Sequence, residues 1–288
     1  MPTSLKTRHI AGHQVRLVAS EGGDAPSPSV VLLHGGGQTR HAWNRLAKTL
    51  VAAGYHVLSL DLRGHGDSDW APDGDYSSDA FMADIRAVMA ELSDRPVLVG
   101  ASLGGLMSLL TVGETEEPTA RALVLVDVTP RIDMAGRARI IGFMRDNIKG
   151  FASLDEAADA VSAYLPHRPR PKNPAGLMRN LRLKDDGRYY WHWDPGFFEG
   201  ANATHTDPES RYTAAARRVR IPTLLVRGEH SELVKEEGVR HFLEVIPGAE
   251  YVDVGGARHM VVGDNNDAFA DAVLAFLARL EQGTGRPG

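Results

Sequence analysis

The chain has 288 residues, of which 43% are hydrophobic and 24% charged, as expected for a globular protein with a sizeable core. Its net charge of −5, without a long basic run, argues against nucleic acid or an acidic membrane surface as a partner. The absence of cysteine excludes disulfides, thiolate metal sites and a cysteine nucleophile.

The first 128 residues alternate between short apolar runs and helical patterns. The predicted elements are a hairpin formed by Lys6–Ile10 and Gln14–Ala19, strands at Val30–Leu33, His56–Leu60, Pro96–Val99 and Ala122–Val126, and helices at about Arg40–Ala53, Asp79–Leu92 and from Ser102 to Val112. Short apolar strands separated by helices indicate a mostly parallel sheet with helices on both faces.

The pattern changes at Arg131 and returns after Arg218. Between them we predict helices at Ala135–Ile148 and Leu154–Tyr164, a proline-rich break and an aromatic cluster at Tyr189–Trp193, with no parallel strands. The alternation then resumes with strands at Thr223–Val226 and Tyr251–Val254 and helices at Lys235–Ile246 and about Asp267–Leu280. Residues 1–130 and 219–288 are therefore expected to form one sheet domain, interrupted by a helical insertion at residues 131–218.

Ser102 has glycines two positions away on both sides, at the end of a predicted buried strand. This pattern is typical of a nucleophile on a sharp strand-to-helix turn, where a side chain at Gly100 or Gly104 would collide with its neighbours.

A serine hydroxyl needs a base to accept its proton during attack. His259 follows the strand Tyr251–Val254 and would lie at the same sheet edge as Ser102. A carboxylate after Thr223–Val226 would orient the imidazole, with Glu232 the first candidate and Glu229 the second.

These motifs together resemble the α/β-hydrolase superfamily, in the serine-nucleophile branch with a helical cap. The matching segments are Leu33-His-Gly-Gly-Gly37, Asp61-Leu-Arg-Gly-His-Gly-Asp-Ser68, Gly100-Ala-Ser-Leu-Gly-Gly105, Pro222-Thr-Leu-Leu-Val-Arg-Gly228 with Ser231-Glu232, and Gly256-Ala-Arg-His-Met260. The resemblance covers nearly the whole chain and implies an α/β fold with a mostly parallel central sheet, flanking helices and an inserted α-helical cap.

The resemblance also implies a triad of Ser102 as nucleophile, His259 as base and Glu232 as acid. Many relatives carry aspartate at the acid position, so the glutamate leaves Glu229 and Asp127 as alternatives. Asp127 ends the strand before the insertion, which is another acid position on this fold.

Acyl transfer requires donors for the oxyanion. We expect the backbone N–H of Leu103 to be one of them, since it begins the helix after Ser102. The second is expected from the loop that contains Gly35, Gly36 and Gly37, here called the glycine loop, from Gly36 first and Gly37 second. Three successive glycines would also leave the acyl side of the site roomy.

The expected function is hydrolysis of an ester, or a related carbonyl compound, through an acyl-enzyme. Lactonases, C–C bond hydrolases and cofactor-free perhydrolases share the triad, and a small-molecule receptor on the same fold is an alternative of another class. Ser102 lies at the strand-to-helix turn, here called the elbow. A serine there excludes epoxide hydrolases and haloalkane dehalogenases, which use a carboxylate at this position. The other histidines lack metal-ligand spacing.

The expected partner is a small-molecule substrate, with no cofactor and no metal, and with no nucleic acid or membrane. The resemblance leaves both a monomer and a homodimer open. The N-terminus has no apolar core of signal-peptide length, so a cytoplasmic location is expected.

Overall fold

The computed structural model describes residues 4–166, 169–200, 208–256 and 266–284. The strands are β1 (Lys6–Ala11), β2 (Arg16–Gly22), β3 (Ser29–Leu33), β4 (His56–Asp61), β5 (Val97–Ala101), β6 (Ala122–Val126), β7 (Leu181–Leu183), β8 (Tyr189–Trp191), β9 (Thr223–Gly228) and β10 (Glu250–Val254). The helices are α1 (Asn44–Ala52), α2 (Ser78–Ala90), α3 (Leu103–Gly113), α4 (Met134–Asp146), α5 (Leu154–Tyr164), α6 (Phe197–Gly200), α7 (Pro208–Arg218), α8 (Glu236–Val245) and α9 (Asn266–Thr284).

Eight strands form one sheet in the order β1-β2-β4-β3-β5-β6-β9-β10. The β1–β2 hairpin joins the sheet antiparallel through β2 and β4, and the remaining neighbours pair in parallel. The predicted α/β class, with a mostly parallel sheet and helices on both faces, is confirmed.

Alternation along the strands sends side chains to two separate cores. Val31 and Leu98 pack on the face covered by α2, α3, α7 and α8, whereas Val30 and Val97 pack on the face covered by α1 and α9. Both faces are therefore apolar, which explains why the strands read as continuous hydrophobic runs. None of the helices in the four described ranges combines the length and apolarity needed to cross a bilayer.

Local structure differs from the sequence prediction at the start of α1 and within residues 131–218. The helix expected from Arg40 begins as a 3-10 turn at Arg40–Trp43 before α1. Residues 131–218, here called the cap segment, contain the two predicted helices, α4 and α5, together with two further helices, α6 and α7, and a short antiparallel pair, β7 and β8. A three-residue strand has too few residues for an alternating pattern to be visible in the sequence.

A buried ion pair links the segment after β4 to α2 and to the β1–β2 hairpin. Arg63 follows β4 and donates from Nε to Oδ2 of Asp84 on α2 at 2.7 Å, and from Nη2 to Oδ1 at 3.0 Å. The same guanidinium donates to the carbonyl oxygens of His13 and Asp75, both at 2.8 Å. Both charged side chains are 2% exposed, so each compensates the other's lost hydration.

Replacing Asp84 with Asn should strongly destabilise the fold, because the Arg63 guanidinium would stay buried without its counter-charge. We expect a loss of about 3–5 kcal/mol in the free energy of unfolding, measured by urea denaturation. The control is Asp69→Asn, which removes the exposed ion pair with Arg16 and should cost less than about 1 kcal/mol. Equal costs for the two variants would contradict this role of the Arg63–Asp84 pair.

Candidate active site

Ser102 occupies the turn between β5 and α3 in a strained conformation, with φ 46° and ψ −113°. A methyl group added at Gly100 would lie 2.5 Å from the carbonyl oxygen of Gly104, and one added at Gly104 would lie 2.4 Å from that of Leu33. Glycine at these positions lets the first turn of α3 approach both strands. The positive φ at Ser102 is the cost of that close approach.

Asp127 stands beside Ser102 at the end of the next strand. Ala101 of β5 is paired in register with Val126 of β6, and the N–H of Ser102 donates to the carbonyl oxygen of Val126 at 3.3 Å. Asp127 also has a positive φ, 48°. In the described part of the chain, the non-glycine residues with positive φ are Ser102, Asp127 and Gln14. Two strained residues at adjacent strand ends are a reason to look for function there.

Most backbone N–H groups of the glycine loop, which follows β3, donate hydrogen bonds to acceptors within the protein. The N–H of Gly35 donates to Oε1 of Gln38 at 3.0 Å, and that of Gln38 donates to the carbonyl oxygen of Gly35 at 3.1 Å. Gly37 donates to Nε2 of His65 at 3.1 Å. Within the described ranges, Gly36 is left as the loop residue whose N–H has no acceptor.

At the start of α3, too, neighbouring backbone N–H groups differ in whether they have an acceptor. The N–H of Ser102 is bound by Val126, and that of Gly104 donates to the carbonyl oxygen of His34 at 3.1 Å. Among the residues that the structure describes, the intervening N–H of Leu103 has no acceptor. The loop and the elbow also touch, since a methyl group added at Gly35 would lie 3.3 Å from Cβ of Ser102.

Two buried neutral histidines hold this loop. Nδ1 of His34 donates to the carbonyl oxygen of Gly35 at 2.8 Å, while its Nε2 accepts from the N–H of Leu62 at 3.0 Å. Nδ1 of His65 donates to the carbonyl oxygen of Arg63 at 2.9 Å. Burial, followed by the nearby His34, lowers the pKa of His65 to about 3, and burial lowers the pKa of His34 as well. Each ring must remain neutral to keep its acceptor nitrogen.

A carboxylate network holds the turn that carries His65. Asp61 accepts from the N–H of Arg40 at 2.6 Å and from that of Asp67 at 2.9 Å, and it pairs with the Arg40 guanidinium. A methyl group at Gly66 would lie 2.2 Å from Cγ of Asp61. The turn therefore needs glycine there to wrap closely around the carboxylate.

The three acid candidates have different surroundings. Asp127 is fully buried, and its carboxylate accepts from the N–H of Gly228 at 3.0 Å and from the hydroxyl of Ser231 at 2.6 Å. Glu232 is half-buried and forms an ion pair with Arg139 of the cap segment at 2.8 Å. Glu229 accepts from the N–H of Gly256 at 2.8 Å, on the segment that leads toward residue 259. The predicted base, His259, lies outside the described residues.

The cap segment contacts the sheet domain at both ends of the site. Met144 of α4 lies over Gly37, where an added methyl group would be 2.8 Å from its Cε. At one end, the N–H of Gly66 donates to the carbonyl oxygen of His192 at 2.9 Å. At the other end, the N–H of Asp133 donates to the carbonyl oxygen of Leu233 at 3.0 Å. The Met144 side chain of the cap segment thus lies against the glycine loop at Gly37.

No group of three or more His, Asp or Glu side chains in the described ranges is arranged to hold a metal ion. The site as described offers a hydroxyl, a buried carboxylate and two N–H groups without acceptors.

Comparison with known sequences identifies the family. The sequence model for the alpha/beta hydrolase fold matches residues 28–266. The chain belongs to the α/β-hydrolase fold family. Among its relatives, the esterase Rv0045c of Mycobacterium tuberculosis is 32% identical over 222 residues, which cover 75% of this chain and 70% of the relative. The mouse sn-1-specific diacylglycerol lipase ABHD11 is 30% identical, over 89% of this chain and 83% of the relative.

Solved structures agree with this assignment. An alpha/beta hydrolase from Novosphingobium aromaticivorans superposes with a TM-score of 0.80 and 27% identity, over 96% of this chain and 99% of the other. The expected resemblance to the α/β-hydrolase superfamily is therefore confirmed.

Sequence reasoning missed several supports of this α/β-hydrolase site. The hydroxyl of Ser231 was not foreseen as a partner of Asp127, nor was the ring of His65 foreseen as a partner of Gly37 in the glycine loop. The sequence does contain a signal for Ser231, since this short polar side chain lies between the two acid candidates Glu229 and Glu232.

Acid should destabilise this α/β-hydrolase through His65. The folded ring stays neutral down to about pH 3, whereas an unfolded histidine takes up a proton near pH 6.5. The unfolded state therefore binds more protons between these values, so stability falls as pH decreases through that window. Urea denaturation at several pH values should show this fall.

His65→Gln keeps an acceptor for the N–H of Gly37 and should reduce the slope of unfolding free energy against pH. An unchanged slope below pH 6.5 would contradict the role assigned to the His65 ring.

Proposed function

We propose that this α/β-hydrolase is a serine hydrolase that cleaves an ester through an acyl-enzyme. The observation that carries the proposal is the combination at Ser102: a strained nucleophile position flanked by two N–H groups, of Leu103 and Gly36, that the described residues leave without acceptors. Preorganised donors of this kind stabilise a developing oxyanion, and losing one typically costs about 10²–10³ in turnover.

In the proposed reaction, Oγ of Ser102 attacks the carbonyl carbon while His259 accepts the hydroxyl proton. The negative charge develops on the carbonyl oxygen, which the N–H groups of Leu103 and Gly36 bind. Collapse of this intermediate expels the alcohol, which takes the proton from His259. Water activated by the same imidazole then releases the acid and restores Ser102.

For the third member of the triad, we infer that Asp127 is favoured over Glu232, the residue expected from the sequence. Asp127 follows the strand next to that of Ser102, is fully buried and has a strained backbone. Glu232 is half-exposed and shares its carboxylate with Arg139. A buried carboxylate is better suited to fix an imidazole tautomer, because water does not screen its charge.

The names of the relatives support an ester as the substrate. One relative is an esterase and another is a diacylglycerol lipase, and both names imply cleavage of an ester bond. Within the same mechanism, lactones and C–C bonds next to a carbonyl group are alternative substrates. A panel of aryl esters, lactones and vinylogous diketones separates these reactions.

Ser102→Ala should remove the nucleophile. We expect turnover of an aryl ester to fall on the order of 10⁶-fold, and a fluorophosphonate to label the wild type but not the variant. Mass spectrometry of the labelled peptide checks the position. A folded wild-type protein that takes up no label would overturn the proposed function.

Asp127→Asn and Glu232→Gln test the acid as a matched pair of charge-removing substitutions. Loss of the acid leaves the imidazole in the wrong tautomer and should lower kcat about 10⁴-fold. We expect this effect at Asp127 and less than about a tenfold effect at Glu232, whose ion pair with Arg139 is partly exposed. The reverse ranking would restore Glu232 as the triad acid.

A further inference from the structure

We propose that Ser231 is a positioning residue of the active site, whose hydroxyl fixes the orientation of the Asp127 carboxylate. This inference rests on the proposed function, in which Asp127 orients His259. It adds a fourth side chain to the triad and assigns to it a task that requires a hydroxyl group.

The hydrogen bonds around Ser231 leave its proton only one direction. Oγ of Ser231 accepts from the N–H of Leu233 at 3.1 Å and from the N–H of Val234 at 3.0 Å. A hydroxyl has two acceptor lone pairs and one donor. Since both lone pairs receive an N–H, the proton points to Oδ2 of Asp127, 2.6 Å away.

The geometry of the Asp127 carboxylate shows what this bond does. Oδ1 accepts from the N–H of Gly228 at 3.0 Å, and Oδ2 accepts from Ser231. Donors on both oxygens restrict rotation of the carboxylate about its Cβ–Cγ bond and define the plane of the group.

Burial strengthens the hydrogen bond that the Ser231 hydroxyl donates and makes the loss of this bond costly. Asp127 is 0% exposed and Ser231 is 5% exposed, so water does not readily replace the bond. Two amides donating to Oγ polarise the hydroxyl and strengthen the bond that it donates. A charge-assisted bond of this length is among the stronger hydrogen bonds in proteins.

The position of Ser231 in the chain also fits the task. The loop after β9 lies beside β6, because β9 and β6 are paired in parallel up to Val126 and Val226. Ser231 reaches back toward Asp127, whereas the next residue, Glu232, points to Arg139 of the cap segment. Adjacent residues of one short loop thus contact the candidate acid and the cap.

The test compares Ser231→Thr with Ser231→Val. The two side chains have nearly the same shape, but only threonine keeps the hydroxyl, so the steric cost of the extra methyl group is common to both. The readout is the second-order rate of Ser102 labelling by a fluorophosphonate, with kcat and KM for an aryl ester. We expect threonine to be at least tenfold faster than valine, with the difference in kcat and not in KM.

A second comparison repeats the Thr and Val variants in the Asp127→Asn background. If Ser231 acts through the carboxylate, the difference between Thr and Val should disappear there, because its acceptor is no longer charged. A structural contribution of the hydroxyl to the loop would persist in both backgrounds. Equal labelling of the Thr and Val variants in the wild-type background, or a persistent difference in the Asn background, would overturn the positioning role.

The same experiments separate this inference from the proposed function. An unlabelled wild type means that the serine mechanism is wrong. An Asp127→Asn variant with wild-type turnover means that Asp127 is not the acid, which removes the task of Ser231 as well. An inactive Asp127→Asn variant beside equally active Thr and Val variants at residue 231 overturns the role of Ser231 alone.

Discussion

Close packing of α3 against the ends of β3 and β5 is the constraint on which the candidate site depends. Gly100 and Gly104 permit this approach, and the chain can then continue only if Ser102 takes a positive φ. Such a conformation costs on the order of 1–3 kcal/mol. Burial of α3 offsets the cost, since Leu109 and Leu110 are fully inaccessible and each contributes about 1.5–3 kcal/mol. Hydrophobic packing thereby holds a reactive group in a position it would not adopt alone.

A second level of organisation comes from the hydrogen bonds of the backbone. The glycine loop and the elbow contain several N–H groups close together, and most of them are bound by His65, His34, Gln38 or Val126. Among the residues that the structure describes, the N–H groups of Gly36 and Leu103 are left without acceptors, and in the proposed reaction they bind the oxyanion. His65 can accept the N–H of Gly37 only as a neutral ring, and its burial maintains that state. Uncharged acceptors behind the loop therefore decide which backbone N–H groups are already bound.

The sequence predicted the sheet and most helices because their signals are local or periodic. Apolar runs gave β3 to β6, and the glycines around Ser102 gave the elbow, since each pattern reflects contacts within a few residues. What escaped prediction depends on distant pairings. The contact of Ser231 with Asp127 spans 104 positions, and the clamp of His65 on Gly37 spans 28. The strands β7 and β8 are too short to leave a pattern.

The glycine loop also has a consequence for protein engineering. An added methyl group at Gly35 would press on Gln38 and Ser102, and Gly37 combines a positive φ of 77° with the contact to Met144. At Gly36, by contrast, no described atom lies within 4 Å of the position that a side chain would first occupy. Residue 36 is therefore the loop position at which a mutant library can vary steric bulk while the backbone keeps its path. For the proposed ester hydrolysis, that single codon is the place to redesign selectivity for the size of the acyl group.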